Sequence, residues 1–120
     1  MKRFLLADDN PYLRSALRLM LETRLNAPLI CEAADYARLL EQSNAQPSDC
    51  LILDWELPGL TDGNGLTALR EQLPAVKIIV ISARPEAAAA AIAAHADAFI
   101  SKTDPPAEIL NTIRRLNGKD

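Results

Sequence analysis

The sequence is poor in the residues that anchor several kinds of chemistry. It has one histidine, His95, which excludes a metal site or catalytic triad built on several histidines. Its two cysteines, Cys31 in "LICEA" and Cys50 in "DCLILD", lie inside apolar stretches. Two cysteines make no disulfide framework in a domain of this size, and both read as reduced core residues. There is no surplus of positive charge: 13 Lys and Arg stand against 16 Asp and Glu, a net charge of −3. A nucleic-acid binder shows a basic face, and none is visible. Arg14, Arg18, Arg24 and Arg38, scattered among acids and apolar positions, read as solvated helix faces. No signal peptide is recognisable, since acids arrive by Asp8. The longest apolar candidate for a membrane span, "EAAAAAIAAHA", is short and weakly apolar. Internal repeats and linkers are absent too. A cytoplasmic location with no membrane contact is the expectation.

What is there suits one soluble globular domain over residues 1–120. Apolar residues make up 49% and charged residues 24%, a balance that buries a core without tending to disorder. Five short apolar runs recur: Arg3–Ala7, Leu29–Ala33, Cys50–Leu53, Lys77–Ile81 and Ala98–Ser101. "FLL", "LIL" and "IIVI" are continuous rather than alternating, as in strands covered on both faces. Helical patterns lie between them. Pro11 suits a first helical position, with Asn10 or Asp9 as cap. Leu13, Leu17, Met20, Leu21 and Arg24 then follow one helical stripe. Asp35 caps a second helix through about Leu40. A third covers Leu66–Leu73, and a fourth runs from Pro85 to His95. A fifth opens at Pro105 and Pro106, with Ile109, Ile113 and Leu116 on one face and Gly118 as its stop.

The expected fold is therefore α/β, a flavodoxin-like (βα)5 doubly wound parallel sheet in strand order 2-1-3-4-5. Ligands of such sheets bind beyond the carboxyl ends of the strands. Three apolar runs stop there on polar groups: the first at Asp8 and Asp9, the third at Asp54, the fourth at Ser82. Lys102 follows the fifth. Converging carboxylates repel one another, and a hard cation such as Mg2+ relieves them with two or three oxygen ligands. Metal, ammonium and hydroxyl around a carboxylate are what phosphoryl transfer to that carboxylate requires. "LPGLTDGNG", directly after Asp54, is the long loop at that edge.

The motifs "ADDN", "ILDWELPG", "VISA" and "ADAFISK", in this order and at these strand ends, resemble the receiver domain of bacterial two-component response regulators over essentially the whole chain. The resemblance implies that Asp54 is the phosphoacceptor, served by a sensor histidine kinase or a phosphotransfer protein. It implies that Asp9 binds Mg2+ directly, Asp8 more through water, and Glu56 through its backbone carbonyl. Lys102 would pair with the phosphoryl group, and Ser82 would move toward it after transfer. Phe99 matches the aromatic switch position that turns inward with Ser82; read as a residue alone, it is plain core. The fourth helix, fifth strand and fifth helix would form the output face, for an output domain, a partner or a second copy. "FLLADDNPYLRSALRLMLE" looks most like receivers joined to helix-turn-helix DNA-binding domains, although this domain itself would not bind nucleic acid.

There are departures from the family pattern. The loop before Asp62 and Gly63 is one residue longer than usual. Thr103 stands where many members have proline, so no cis bond is expected there. His95 occupies a position that is often glycine and calls for a left-handed backbone. The run Ala87–Ala91 gives a slim fourth helix, which moves the expected output contact to Arg84, Glu86 or the fifth helix. Glu56 and Arg84, each two residues beyond a site residue, are expected to tune hydrolysis of the phosphoryl group. Trp55 is expected to be partly exposed beside the site. Two other readings stay open: a haloacid-dehalogenase-type phosphatase, with Asp54 as nucleophile and Glu56 as acid/base, and a non-phosphorylated receiver-like scaffold. The first lacks room for a cap domain and leaves Asp8 and Asp9 unexplained.

Overall fold

The computed structural model describes residues 1–27, 29–60 and 62–117, the side chains of residues 62 and 63 excepted. Strands and helices alternate: β1 (Arg3–Ala7), α1 (Pro11–Leu25), β2 (Leu29–Ala33), α2 (Tyr36–Ala45), β3 (Cys50–Asp54), α3 (Asp62–Gln72), β4 (Lys77–Ser82), α4 (Ala88–Ala93), β5 (Ala98–Ser101) and α5 (Pro106–Leu116). The strands are parallel, in order β2-β1-β3-β4-β5. This is the flavodoxin-like architecture expected from the continuous apolar runs. Every residue of β3 is buried, and in β4 only Lys77 is exposed.

Each face of the sheet has its own core. Phe4, Leu6, Ile52, Ile79 and Ile81 meet Leu17 and Leu21 of α1 and Ile113 of α5. Leu5, Leu51, Leu53, Ile78 and Val80 meet Leu39 of α2, Leu66 and Leu69 of α3, and Ala91 of α4. Burying side chains of this size contributes about 1.5–3 kcal/mol each, so the two layers supply the main driving force. Cys31 packs on the second layer and Cys50 in the first, and both thiols are free. Burial pushes the Cys50 thiol up to about 12, which makes it an inert core residue.

Helix starts follow local chemistry. Asn10 caps α1, its side chain accepting from the N–H groups of Tyr12 and Leu13, with Pro11 next in line. Asp35 caps α2 by accepting from Arg38 N. That helix runs five residues past Leu40, to Ala45, because its polar last turn hides the end of the apolar stripe.

Two helices differ more from expectation. α3 starts at Asp62 rather than Leu66, and the glycines that made this stretch read as loop are the reason. A Cβ at Gly65 would lie 2.6 Å from the Leu60 carbonyl oxygen, so glycine is needed for the helix to press against the loop. The fourth segment is a 3-10 turn over Pro85–Ala87 followed by the short α4, because Ala87 N bonds back three residues to Arg84 O at 3.0 Å. His95 lies beyond α4 with φ of 76°, the left-handed conformation that its glycine-like position called for. It lets Ala96 N return to Ala91 O at 3.1 Å, which closes the helix end. The proposed stop at Gly118 lies outside the described residues.

Candidate functional site

Three hydrogen bonds prolong the strand ladders and gather the strand ends at one edge. Asp8 N donates to Ala33 O (3.0 Å), Trp55 N to Ile81 O (2.8 Å) and Lys102 N to Ser82 O (2.8 Å). Carboxylate oxygens of Asp8, Asp9 and Asp54 come within 4.8 Å of one another. Lys102 Nζ lies 3.1 Å from Asp8 Oδ2 and 3.4 Å from Asp54 Oδ2. Asp8 and Asp54 are buried and Asp9 is exposed. Asp8, Asp9, Asp54 and Lys102, four of the five residues read from the strand ends, therefore share one crevice.

The crevice is electrostatically strained. Asp8 Oδ1 accepts from Asn10 N (2.8 Å), and Asp54 Oδ1 from Glu56 N (3.0 Å). Burial pushes the Asp54 carboxyl up to about 6, and the Asp8 charge adds to the rise; the Glu56 N–H and Lys102 pull the other way. For Lys102, burial works against the charged form, but bonding to Asp8 and the charges of Asp54 and Asp8 outweigh it and raise the ammonium above its ordinary range. Asp8 Oδ2 is buried, and its one partner among the described residues is the Lys102 ammonium that Asp54 also shares. Three converging carboxylates with a single ammonium between two of them fit a divalent cation such as Mg2+. Asp8, Asp9 and Asp54 are the residues that could hold it.

Ser82 is fully buried at this edge, yet its hydroxyl is engaged with neither Asp54 nor Lys102. Ser82 Oγ donates to the Glu56 carboxylate, 3.0 Å from both Oε1 and Oε2, and accepts from Arg84 N at 3.0 Å. Arg84 closes the arrangement with Nη2 at 2.9 Å and Nε at 3.1 Å from Glu56 Oε2. Phe99 is half-buried against the core layer that contains Leu53 and Val80. Trp55 departs from its expected exposure: it is only 7% exposed. Its N–H continues the β3 ladder, so strand alternation turns the indole into the same layer as Leu51 and Leu53.

The sequence reading missed the support behind the acids. Arg14 and Arg18, taken for solvated side chains, are half-buried. Arg14 Nη1 donates to Asp8 O at 2.6 Å and Arg14 Nε to Glu32 Oε1 at 2.8 Å. Arg18 Nε reaches Glu32 Oε2 at 2.7 Å and its Nη2 the Ile30 carbonyl at 2.8 Å. Burial alone would raise the Glu32 carboxyl, but the two guanidiniums lower it. The spacing of 14 and 18 puts both on one helix face, which was the available signal; that this face overhangs β2 is a tertiary fact.

Residues 4–114 match the family described as the response regulator receiver domain. The transcriptional activator protein ExaE of Pseudomonas putida is 32% identical over 114 residues, covering 93% of this chain and 53% of that protein. The nitrate/nitrite response regulator protein NarP of Escherichia coli K12 is 29% identical over 112 residues, 92% of this chain and 52% of that protein. The chain thus spans about half the length of these relatives. Among solved structures, a LuxR-family two-component response regulator from Aurantimonas sp. SI85-9A1 superposes with a TM-score of 0.85 at 26% identity, covering 95% of this chain and 83% of that one. The signal receiver domain of the putative response regulator NarL from Mycobacterium tuberculosis gives 0.84 at 26% identity, with 98% and 97% covered. The fold, the order of the strand-end motifs and this family match agree: the chain belongs to the response regulator receiver domains of two-component systems.

Proposed function

We propose that this domain is a phosphorylation-dependent signalling switch in which Asp54 accepts a phosphoryl group from a histidine kinase or phosphotransfer protein. The observation that carries the reading is the Asp54 carboxylate itself, buried at a strand end, 3.4 Å from an ammonium and flanked by two further carboxylates. With its carboxyl pushed up to about 6, Asp54 is ionised at neutral pH and desolvated, as a nucleophile needs. Its oxygen attacks phosphorus in line; the P–N bond of the donor phosphohistidine breaks and the electron pair leaves on the imidazole nitrogen. Lys102 lies where it can neutralise an equatorial oxygen. Asp8, Asp9, Asp54 and the Glu56 backbone carbonyl would hold Mg2+, which supplies positive charge to the phosphoryl oxygens. Ser82 and Phe99 form the switch, and α4, β5 and α5 the output face, for an output domain, a partner or a second copy. Two relatives are a transcriptional activator and a response regulator by name, so a DNA-binding output in the cytoplasm is the context we infer.

The phosphatase reading is disfavoured by Glu56, whose carboxylate is tied to Ser82 and Arg84 rather than free for proton transfer. The scaffold reading leaves five convergent site residues without a role. The test is incubation with Mg2+ and a small phosphodonor, followed by mass spectrometry of intact protein. Wild type should gain one acid-stable, base-labile phosphoryl group and Asp54→Ala none. Repeated turnover of the donor without dependence on Asp54 would refute the proposal.

A further inference from the structure

We propose that the Glu56 side chain, braced by Arg84, is a positioning latch that holds the Ser82 hydroxyl away from Asp54 until the phosphoryl group arrives. The inference rests on the switch reading above. Ser82 has one proton, and it is committed to Glu56, with both carboxylate oxygens at 3.0 Å. The hydroxyl oxygen also accepts from Arg84 N. A buried serine bonded in this way is not free to serve a second oxyanion. Glu56 is linked to the acceptor as well, because its backbone N–H donates to Asp54 Oδ1 at 3.0 Å. The same residue therefore supports the acceptor through its main chain and captures the switch hydroxyl through its side chain.

The outer face of the latch is the Arg84 guanidinium, at 2.9 and 3.1 Å from Glu56 Oε2. This pair is half exposed, with side chains 55% and 40% accessible, so it orients Glu56 more than it stabilises the fold. For Ser82 to bond a phosphoryl oxygen on Asp54, the bond to Glu56 must break. The incoming negative charge lies beside another carboxylate and helps to expel it. The resting conformation is thus stabilised by a competing acceptor, and the cost of releasing Ser82 is subtracted from the free energy of phosphoryl recognition. Glu56 touches no reacting atom through its side chain. It acts through Ser82.

The experiment is a double-mutant cycle on the whole chain, with beryllofluoride as phosphoryl mimic at fixed Mg2+. Half-saturation is read from amide NMR, the Arg84 N–H serving as direct reporter of the Ser82 hydroxyl. Glu56→Ala should lower the half-saturating concentration about three- to tenfold, the effect of removing one charge-assisted hydrogen bond in part-solvated surroundings. In a Ser82→Ala background the same substitution should change it about twofold or less, since only the charge of Glu56 is then lost. The free Glu56→Ala protein should also show its Arg84 amide displaced toward the mimic-bound position. Equal gains in both backgrounds would overturn the latch and leave Glu56 as a repelling charge. Failure of the wild type to take up the mimic with Mg2+ would overturn the switch reading itself.

Discussion

β3 is bracketed by two aspartates in opposite conditions. Asp49 precedes the strand and accepts from Lys2 N and Arg3 N, each at 3.0 Å, and from Arg3 Nη2 at 2.9 Å. Bonding to Arg3 and the two backbone donors hold its carboxyl well below the usual range, against a smaller opposing effect of burial. Asp54 ends the strand with one backbone donor, one ammonium shared with Asp8, and a carboxyl raised to about 6. The amino-terminal edge matches each acid with donors and gains stability. The carboxyl-terminal edge leaves negative charge under-compensated, which costs the fold stability and suits a cation. A strand-end aspartate is thus structural or reactive according to the donors its neighbours supply, not according to its place on the strand.

The contrast can be tested by substitution. The largest effect should come from Lys102→Met, which leaves Asp8 and Asp54 facing each other without their ammonium. A loss of about 2–4 kcal/mol at pH 7 in chelator is expected from urea unfolding, shrinking near pH 5, where Asp54 takes up a proton. Next is Asp54→Asn, which should stabilise the metal-free protein by about 1–3 kcal/mol at pH 7. The sign follows from linkage. An acid whose folded value lies near 6 and whose unfolded value lies near 3.9 holds its proton more tightly when folded. Its contribution is present below about pH 4 and is lost as pH rises through about 6. The gain from Asp54→Asn should therefore vanish at pH 4, and a gain that persists there would refute the electrostatic account. Smallest is Asp49→Asn, expected to cost about 1–2 kcal/mol at pH 7. Its pH dependence should be the reverse, because a depressed acid loses its contribution only as pH falls below about 4.

How much of this was legible depended on how local the cause was. The continuous runs "LIL" and "IIVI" announced strands covered on both faces, and four strand-end groups followed from topology once the sheet was parallel. Asn10 and Asp35 announced their helices because a cap acts within three residues. The start of α3 was hidden by Gly63 and Gly65, whose low helix propensity argued for loop while Leu60 demanded close approach. Trp55 was misplaced because its face depended on whether the β3 ladder continued past Asp54. Arg14 and Glu56 carry the site's support through partners 18 and 26 residues away, and no window of sequence displays such pairs.

The fourth crossover is fastened differently from the rest. Where α1 and α3 seat leucines, the segment around α4 meets the sheet through methyl groups, those of Ala87, Ala91 and Ala94, and its one large aliphatic, Ile92, is half in water. Displacing it strips little hydrocarbon from the interior. Among the described residues it is the crossover with the fewest large side chains in the core, and it lies directly after Ser82.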